Sequence, residues 1–379
     1  MRGHAASETP MFLMINLEQI VPEDHPLRPI KRRCDRILAD MAPDFRKAYA
    51  ARGRPGVPPE QLLKAMLLRS LYSIRSEIGL MKAIEFNLLY RWFVDLGDEP
   101  AWTPEVFSMN RERFAEHQLV ETFFDRVVAS ALVEDLADED HFTVDGTLIQ
   151  SWASLKSLTP RDPEAEGPDR DDDPGNPSVN FRGQKRSNAT HTSTTDPEAR
   201  LMRKGAGKEA LLYHSGHVLM ENRHGLVMAV DVDAADGTAE RRAAEAMLEH
   251  VAARHGVRPR TLGADAGYDA GPFLDHLEND LGVVPHVPVR KGPIKAEDAA
   301  GQARRKARRR QPTEGYKLSQ KVRKRVEEIF GWLKVVAGQG RARLVGRWKI
   351  GQDLTMAAAA YNLLRLGRLR PPPTARAVA

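Results

Sequence analysis

Apolar positions recur with helical spacing through the first third of the chain. After a Pro-Pro start, leucine and methionine side chains at positions 62, 63, 66, 67 and 71 form one stripe, which predicts an amphipathic helix from residue 59 onward. Ser76 is a predicted cap of the next helix, and Thr103 with Pro104 has the residue types of another helix start. We therefore predict an all-α domain over residues 12 to 133.

The pattern changes at residue 141, where β-branched and aromatic residues lead into Asp145. Further strand patterns cover residues 210 to 220 and 226 to 232, a helix pattern follows Thr238, and another short strand pattern ends at Asp265. Strands that then alternate with helices predict a mixed α/β domain over residues 138 to 370.

Two segments interrupt this second domain. Residues 158 to 200 are rich in Pro, Asp, Gly, Ser and Asn, and we predict a flexible insertion there because the segment has few apolar side chains to bury. Residues 286 to 318 form a second, basic insertion, in which arginine and lysine cluster between positions 304 and 310. Such cations can neutralise phosphates of a nucleic acid, although a solvated basic face is the alternative.

Composition restricts the possibilities further. A chain of 379 residues exceeds one ordinary core, and 41% hydrophobic with 29% charged residues is typical of a soluble globular protein. The single cysteine, Cys34, excludes an intramolecular disulfide framework, and no apolar run reaches membrane length. We expect a cytoplasmic protein with a net charge of +5 and no membrane partner.

Three carboxylates are candidates for phosphodiester chemistry. Asp145 and Asp265 each follow a predicted strand, and neighbouring strands could bring both to one sheet edge. Glu327 lies on a helix predicted over residues 319 to 336, between Arg323 and Lys334. Two Mg²⁺ ions about 4 Å apart can clamp the attacking and leaving oxygens of a phosphoryl transfer. Taken singly, the Asp-Gly pair also fits a turn, and Glu327 also fits a surface ion pair.

Several motifs together resemble one known family. They are Ile20 to Arg28 (IVPEDHPLR), Pro59 to Leu63 (PEQLL), Val144 to Thr147 (VDGT), His191 to Leu201 (HTSTTDPEARL), Glu221 to Arg223 (ENR), Asp265 to Asp269 (DAGYD), and Arg323-x3-Glu327-x6-Lys334. With these motifs the chain resembles bacterial insertion-sequence transposases of the Asp-Asp-Glu (DDE) type, in the insertion-sequence-five family.

The resemblance implies an RNase H-like catalytic core, a mixed sheet with flanking helices, behind an N-terminal helical DNA-binding domain. It implies that Asp145, Asp265 and Glu327 are catalytic and bind Mg²⁺ or Mn²⁺, with two ions expected. The residues expected to contact DNA are Arg323, Lys334, Lys324, Arg325 and Tyr268.

The last motif departs from the family pattern at one position and leaves a choice between two glutamates. Gln320 stands where the family has a tyrosine, and Tyr316 lies one turn earlier. Glu328 competes with Glu327, but only Glu327 keeps the spacing to both Arg323 and Lys334.

The implied function is cleavage at the ends of an insertion sequence and strand transfer into target DNA. Its partners would be the terminal inverted repeats and the target DNA, bound by a homodimer or larger assembly at the nucleoid. Two alternatives stay open: a non-catalytic DNA-binding repressor from a decayed element, and an RNase H-like nuclease without strand transfer.

Other patterns carry weaker hypotheses. Residues 205 to 208 resemble a phosphate-binding loop but lack its full glycine spacing. Histidines 214, 217 and 224 could suggest a zinc site but have no cysteine partners. Aspartates 171 to 173 are interpreted as solvated charges. One hypothesis is a helix-turn-helix that reads bases through Asn110, Arg111 and Arg113, and the alternative is that these helices only form a core. Trp152 could stack on a base, and the alternative is that it is an ordinary buried aromatic residue.

Overall fold

The structure is a computed structural model that describes residues 16–50, 52–53, 56–162, 180–181, 184–205, 207–294 and 297–369. The predicted acidic cluster at residues 171 to 173 lies outside the described residues. Within the described residues no helix is both long and apolar enough to span a membrane.

The first part of the chain is helical, as its apolar stripes predict. Its helices are α1 (Leu17–Ile20), α2 (Leu27–Asp40), α3 (Ala42–Ala48), α4 (Pro59–Leu71), α5 (Glu77–Phe86), α6 (Leu88–Val94), α7 (Pro104–Glu116) and α8 (Leu119–Val133). Ser76 caps α5 by accepting a hydrogen bond from the Gly79 amide, and Thr103 precedes Pro104 at the start of α7. These starts confirm the predicted boundaries.

Ten strands follow among the described residues, and six of them form one sheet. The strands are β1 (His141–Gln150), β2 (Leu158–Pro160), β3 (Asn180–Phe181), β4 (Gln184–Lys185), β5 (His191–Ser193), β6 (Arg200–Arg203), β7 (Ala210–Glu221), β8 (Val227–Ala234), β9 (Thr261–Gly263) and β10 (Val284–His286). The main sheet has the order β10-β9-β1-β7, and β6 and β8 lie one after the other along the far edge of β7. β9 and β10 run parallel to β1, whereas β7 is antiparallel to it.

The remaining helices flank this sheet. They are α9 (Ala239–His255), α10 (Gly271–Asn279), α11 (Ala299–Arg310), α12 (Glu314–Val322), α13 (Val326–Val335) and α14 (Arg347–Leu369). On β7, Gly216 faces Leu354 of α14, whereas the next residue, His217, faces the side on which α9 packs. Because successive strand residues point to opposite faces, α9 and α14 cover opposite faces of the sheet.

The N-terminal helices and the sheet share a continuous hydrophobic core. The helix α14 packs against β8 on one side and against α4 and α8 on another. Within this contact Arg69 of α4 forms a buried ion pair with Asp353 of α14. The two predicted domains are therefore held together by both apolar packing and a buried charge pair.

Three local predictions need correction. Asp145 lies in the middle of β1 and not at a strand end, because β7 continues to pair with β1 as far as Gln150. The helix predicted from residue 319 to 336 is divided by a 3₁₀ turn, Arg323–Arg325, between α12 and α13. The insertion predicted at residues 158 to 200 carries the strands β2 and β5, which pair with each other; its residues 163 to 179 lie outside the described part.

Candidate active site

A gap beside β1 defines the site. The short strand β9 pairs with β1 only from His141 to Thr143, and the same side of β1 is next used at Gln150, which bridges to the segment around Arg341. Between these two points β1 has no strand neighbour on that side among the described residues.

Asp145 and Asp265 both border the gap. The parallel pairing of β1 with β9 ends at Thr143 and Gly263, so each aspartate lies two residues beyond the last pair, and the negative charge of Asp265 acts on Asp145. Asp265 caps a short 3₁₀ turn by accepting a hydrogen bond from the Gly267 amide at 2.7 Å. Asp145 accepts one from the Gly146 amide at 2.8 Å. Both carboxylates are thus held by their own backbone at neighbouring positions.

The charge of Asp145 is disfavoured in this place. Burial raises its pKa to about 6, and the negative charges of Asp265 and Glu327 add to the increase. The Gly146 amide and the guanidinium of Arg323 act in the opposite direction. A carboxylate with this environment is stabilised by an added cation, which is the electrostatic condition for a metal ligand.

Glu327 reaches the site from the first turn of α13. Its charge acts on Asp145 across the gap, and its side chain is exposed. The neighbouring Glu328 points elsewhere, since its carboxylate lies 3.7 Å from Arg365 of α14. Of the two glutamates that the sequence offers, the geometry favours Glu327.

A fourth carboxylate, Glu240, was missed by the sequence analysis. It lies in the first turn of α9, and burial raises its pKa, with a further increase from Asp265 and then Asp145. An acidic residue in a first helical turn is common, so its type alone gives no signal.

Cations flank the acidic group. The guanidinium of Arg323 lies 3.6 Å from the Asp145 carboxylate, and its Nε is buried without a hydrogen-bond partner in the described structure. Burial lowers the pKa of Lys334, and the negative charge of Asp145 acts in the opposite direction. Both of these cations therefore stand beside the carboxylates, as the motif spacing predicts.

The other predicted DNA contacts differ in exposure. Lys324 is exposed, and Arg325 is exposed while it donates to the backbone carbonyl of Asn222 at 2.6 Å. Tyr268 is fully buried, with its hydroxyl unpaired among the described residues. Direct contact between Tyr268 and DNA is therefore not compatible with this geometry.

The basic insertion is less available to phosphates than its composition indicates. Arg304 pairs with Asp269, Arg310 pairs with Glu278, and Arg308 donates to backbone carbonyl groups. These arginines fix α11 against α10 and its flanking loops. Part of the basic character of the sequence is thus used internally.

The donor set fits a hard divalent cation. Among the described residues no three acidic, histidine or cysteine side chains are already grouped to bind one ion. Mg²⁺ keeps several waters and needs only one or two protein carboxylates together with substrate phosphates. The oxygens of Asp145, Asp265 and Glu327 suit Mg²⁺ or Mn²⁺ on these terms.

The remaining hypotheses have structural outcomes. Asn110 and Arg111 are buried, and Arg111 pairs with Glu77, so neither can read bases here. Trp152 is 56% exposed, which corrects the burial alternative, and the guanidinium of Arg341 lies 5.3 Å from its ring centre. His214 is bound to a buried aspartate, and the histidines do not converge on a metal site among the described residues.

Two family models match the chain. Residues 15–113 match the family described as "Transposase domain (DUF772)". Residues 186–363 match the family described as "Transposase DDE domain", a range that includes Asp265 and Glu327 and begins after Asp145. No curated protein matches the chain.

Proposed function

The chain belongs to the DDE transposases of insertion sequences, and we propose that it cleaves DNA at the ends of its element and transfers the freed strands into target DNA. The observation that supports this proposal is that Asp145 and Asp265 each lie two residues beyond the last β1–β9 pair, while the charges of Asp265 and Glu327 both act on Asp145. The resemblance to the insertion-sequence-five family belongs to the same proposal.

The architecture supports an RNase H-like core. The sheet is mixed, its helices cover both faces, and Asp145 lies on β1, an inner strand, with Asp265 just after the neighbouring strand β9. We assign residues 138 to 370 to this catalytic domain and residues 12 to 133 to an N-terminal DNA-binding domain, of which residues 16 onward are described.

Asp145, Asp265 and Glu327 would hold two Mg²⁺ or Mn²⁺ ions. When bound, such ions activate the oxygen nucleophile and stabilise the charge of the reacting phosphate. The backbone amides of Gly146 and Gly267 each donate a hydrogen bond to one oxygen of Asp145 and of Asp265, which orients the two aspartates. Arg323, beside Asp145, favours the ionised form of that carboxylate.

Positive side chains around the gap would bind the DNA backbone. Lys334, Arg341 and Arg343 line a cavity of about 490 Å³ with Trp152, close to the end of β1. Phosphate contacts by lysine and arginine supply affinity without sequence preference. Because two element ends must reach one target, a homodimer or larger assembly is part of the proposal.

The decisive experiment is cleavage of a duplex that carries the element end, with Mg²⁺ present. Asp145→Asn, Asp265→Asn and Glu327→Gln should abolish cleavage while DNA binding is retained. Glu328→Gln is the matched control, because it removes the same charge one residue away, where the side chain faces Arg365. Full activity of the Asp145 or Asp265 variant would refute the assignment.

The same assay separates the two alternatives. A repressor from a decayed element would bind the end duplex and leave it uncut at every Mg²⁺ and Mn²⁺ concentration. A nuclease without strand transfer would cut it and yield no joined products with a supercoiled target. Joined products from the wild-type protein would exclude both alternatives.

A further inference from the structure

The side chain of Glu240 occupies a slot between two glycines, each of which accompanies a catalytic aspartate. A methyl group added at Gly267 would lie 2.8 Å from Glu240 Oε2 and 2.9 Å from Asp265 Oδ1. Both carboxylate oxygens thus border the same point in space. They can be no farther apart than these two distances combined.

The second glycine lies on the other side of the slot. A methyl group added at Gly146 would lie 3.5 Å from Glu240 Cγ, an ordinary van der Waals contact, and Gly146 follows Asp145 directly. A side chain at Gly267 would therefore collide with the Glu240 carboxylate, whereas a side chain at Gly146 would border Glu240. The Asp-x-Gly sequence at residues 265 to 267 thus leaves the space that the Glu240 carboxylate fills.

Capping of α9 does not explain why Glu240 is there. The N-terminus of α9 is already capped by Asp236, whose Oδ1 accepts hydrogen bonds from the Thr238 and Ala239 amides at 2.8 Å. In the described structure no hydrogen bond or ion pair joins Glu240 to another residue. A partly buried carboxylate without a partner is costly, and this cost falls when a cation is bound nearby.

The start of α9 is fixed toward the slot. Arg241, the next residue, donates to the Gly267 carbonyl at 3.0 Å, and Arg242 pairs with Asp233 and Asp236. These contacts hold α9 to the loop that carries Asp265 and to the end of β8. Glu240 is therefore positioned by its helix, in the way that a preorganised ligand must be.

An independent observation comes from His217. Its side chain is fully buried on β7, and neither ring nitrogen has a hydrogen-bond partner among the described residues. Its Nδ1 lies 3.0 Å from the methyl position at Gly146, the point that Glu240 also borders. An unpaired polar group directed at this slot indicates that the slot is a place for a polar ligand, such as a metal-bound water.

We propose that Glu240 is a fourth carboxylate of the active site and binds a divalent cation together with Asp265. The inference rests on the proposed function and adds a ligand to it. Because Glu240 comes from α9 and Glu327 from α13, on a separate helix, the cation shared with Asp265 should bind even when Glu327 is absent.

Binding of Mn²⁺ to the full chain without DNA tests this directly, by isothermal titration calorimetry. Glu240→Gln should weaken Mn²⁺ binding at least ~10-fold, a loss typical of an altered metal environment. Glu240→Asp, which keeps the charge on a shorter side chain, should recover part of the affinity. Glu249→Gln is the matched control, since it removes an exposed charge from the same helix.

A second readout locates the ion. Fe²⁺ substituted for Mn²⁺ generates radicals that cut the backbone close to its site, and the wild-type chain should be cut near residues 146, 240 and 267. Glu240→Gln should lose these cuts while its thermal unfolding in EDTA keeps a single transition. If Glu240→Gln shows no cooperative unfolding transition, it is not folded and Glu240→Asp takes its place. The Mn²⁺ affinity of Glu240→Asp must then be lower than that of the wild type.

The possible failures are distinguishable. Wild-type affinity in Glu240→Gln, together with lost affinity in Asp265→Asn, would overturn the role of Glu240 and leave the proposed function intact. Absence of Mn²⁺ binding by the wild-type chain up to millimolar concentration, together with absence of DNA cleavage, would overturn both.

Discussion

Asp145→Asn should make the metal-free protein more stable at pH 8, although it removes a catalytic residue. Burial and the charges of Asp265 and Glu327 raise the pKa of Asp145 from 3.8 to about 6. A carboxyl group with a raised pKa in the folded state binds its proton more tightly there than in the unfolded chain. Stability therefore falls as pH rises from about 4 to about 6 and then stays level.

The size of the effect follows from the shift. A shift of roughly two pKa units corresponds to about 3 kcal/mol, because each unit is worth about 1.36 kcal/mol. The side chain of Asp145 is 22% exposed, so solvent screens little of this and the figure is an upper bound. Asparagine keeps the shape and can still accept from the Gly146 amide, which leaves the lost charge as the main difference.

Thermal unfolding by circular dichroism in EDTA measures the gain. At pH 8 we expect Asp145→Asn to raise Tm by up to about 5 °C. The rise is small because each kcal/mol of unfolding free energy shifts Tm by only a few degrees or less in a chain of this length. At pH 4.5 the gain should fall to about 1 kcal/mol, because most of the wild-type carboxyl group is then protonated when folded. Glu249→Gln, which removes an exposed charge, should leave Tm unchanged at both pH values.

Two results would refute the reasoning. One is an Asp145→Asn protein that is no more stable than wild type at pH 8. The other is a gain of equal size at pH 8 and pH 4.5, which would trace the effect to packing and not to charge. Either result would mean that burial and the neighbouring carboxylates do not disfavour the charge of Asp145 as the structure indicates.

Three further predictions concern the cations. Arg323→Gln removes the guanidinium that lowers the pKa of Asp145, so the pH-rate profile of cleavage should rise at higher pH than in wild type. Lys334→Gln should weaken binding of end DNA and reduce the slope of log affinity against log salt by ~0.9, measured by fluorescence anisotropy. Arg69→Met leaves the buried Asp353 unpaired and should lower the free energy of unfolding by ~3–5 kcal/mol in denaturant titrations.

Each has a control within the chain. Arg325→Gln, which breaks contacts to backbone carbonyls away from Asp145, should leave the pH profile in place. Lys47→Gln on α3 should keep the salt slope of the wild type. Asp353→Leu combined with Arg69→Met should recover much of the lost stability, and an unrecovered loss would show that the ion pair is not its cause.

The N-terminal helices and the strands that precede or contain the two aspartates could be predicted because both depend on short-range patterns. Helical stripes and capping residues act within a few positions, and the run into Asp145 and the run into Asp265 are typical of neighbouring strands. What the strand pattern could not give is the length of β1. Its continuation past Asp145 depends on β7, whose antiparallel pairing extends to Gln150.

The sequence could not predict which side chains become partners through tertiary packing. Arg304 was counted among cations for DNA, yet it lies against Asp269, 35 positions earlier, and forms two hydrogen bonds to its carboxylate. Tyr268 was expected to touch DNA because of its motif, whereas packing against Phe273 places its ring in the core. A residue type and its spacing specify what a side chain can do, but exposure decides whether it does so.

The site brings together residues from three layers of the fold. Asp145 lies on β1 and Asp265 follows β9, α13 carries Glu327, and α9 packs over the strands and carries Glu240. The distance of each glutamate from the aspartates therefore depends on how closely its helix packs on the sheet, which is set by apolar residues remote from the chemistry. Because interiors are densely packed, a core substitution under α9 can move Glu240 without touching a charged residue. Such a variant would lose activity because the geometry of the site has changed. A measurement of metal affinity would reveal this change, whereas a measurement of protein stability would not.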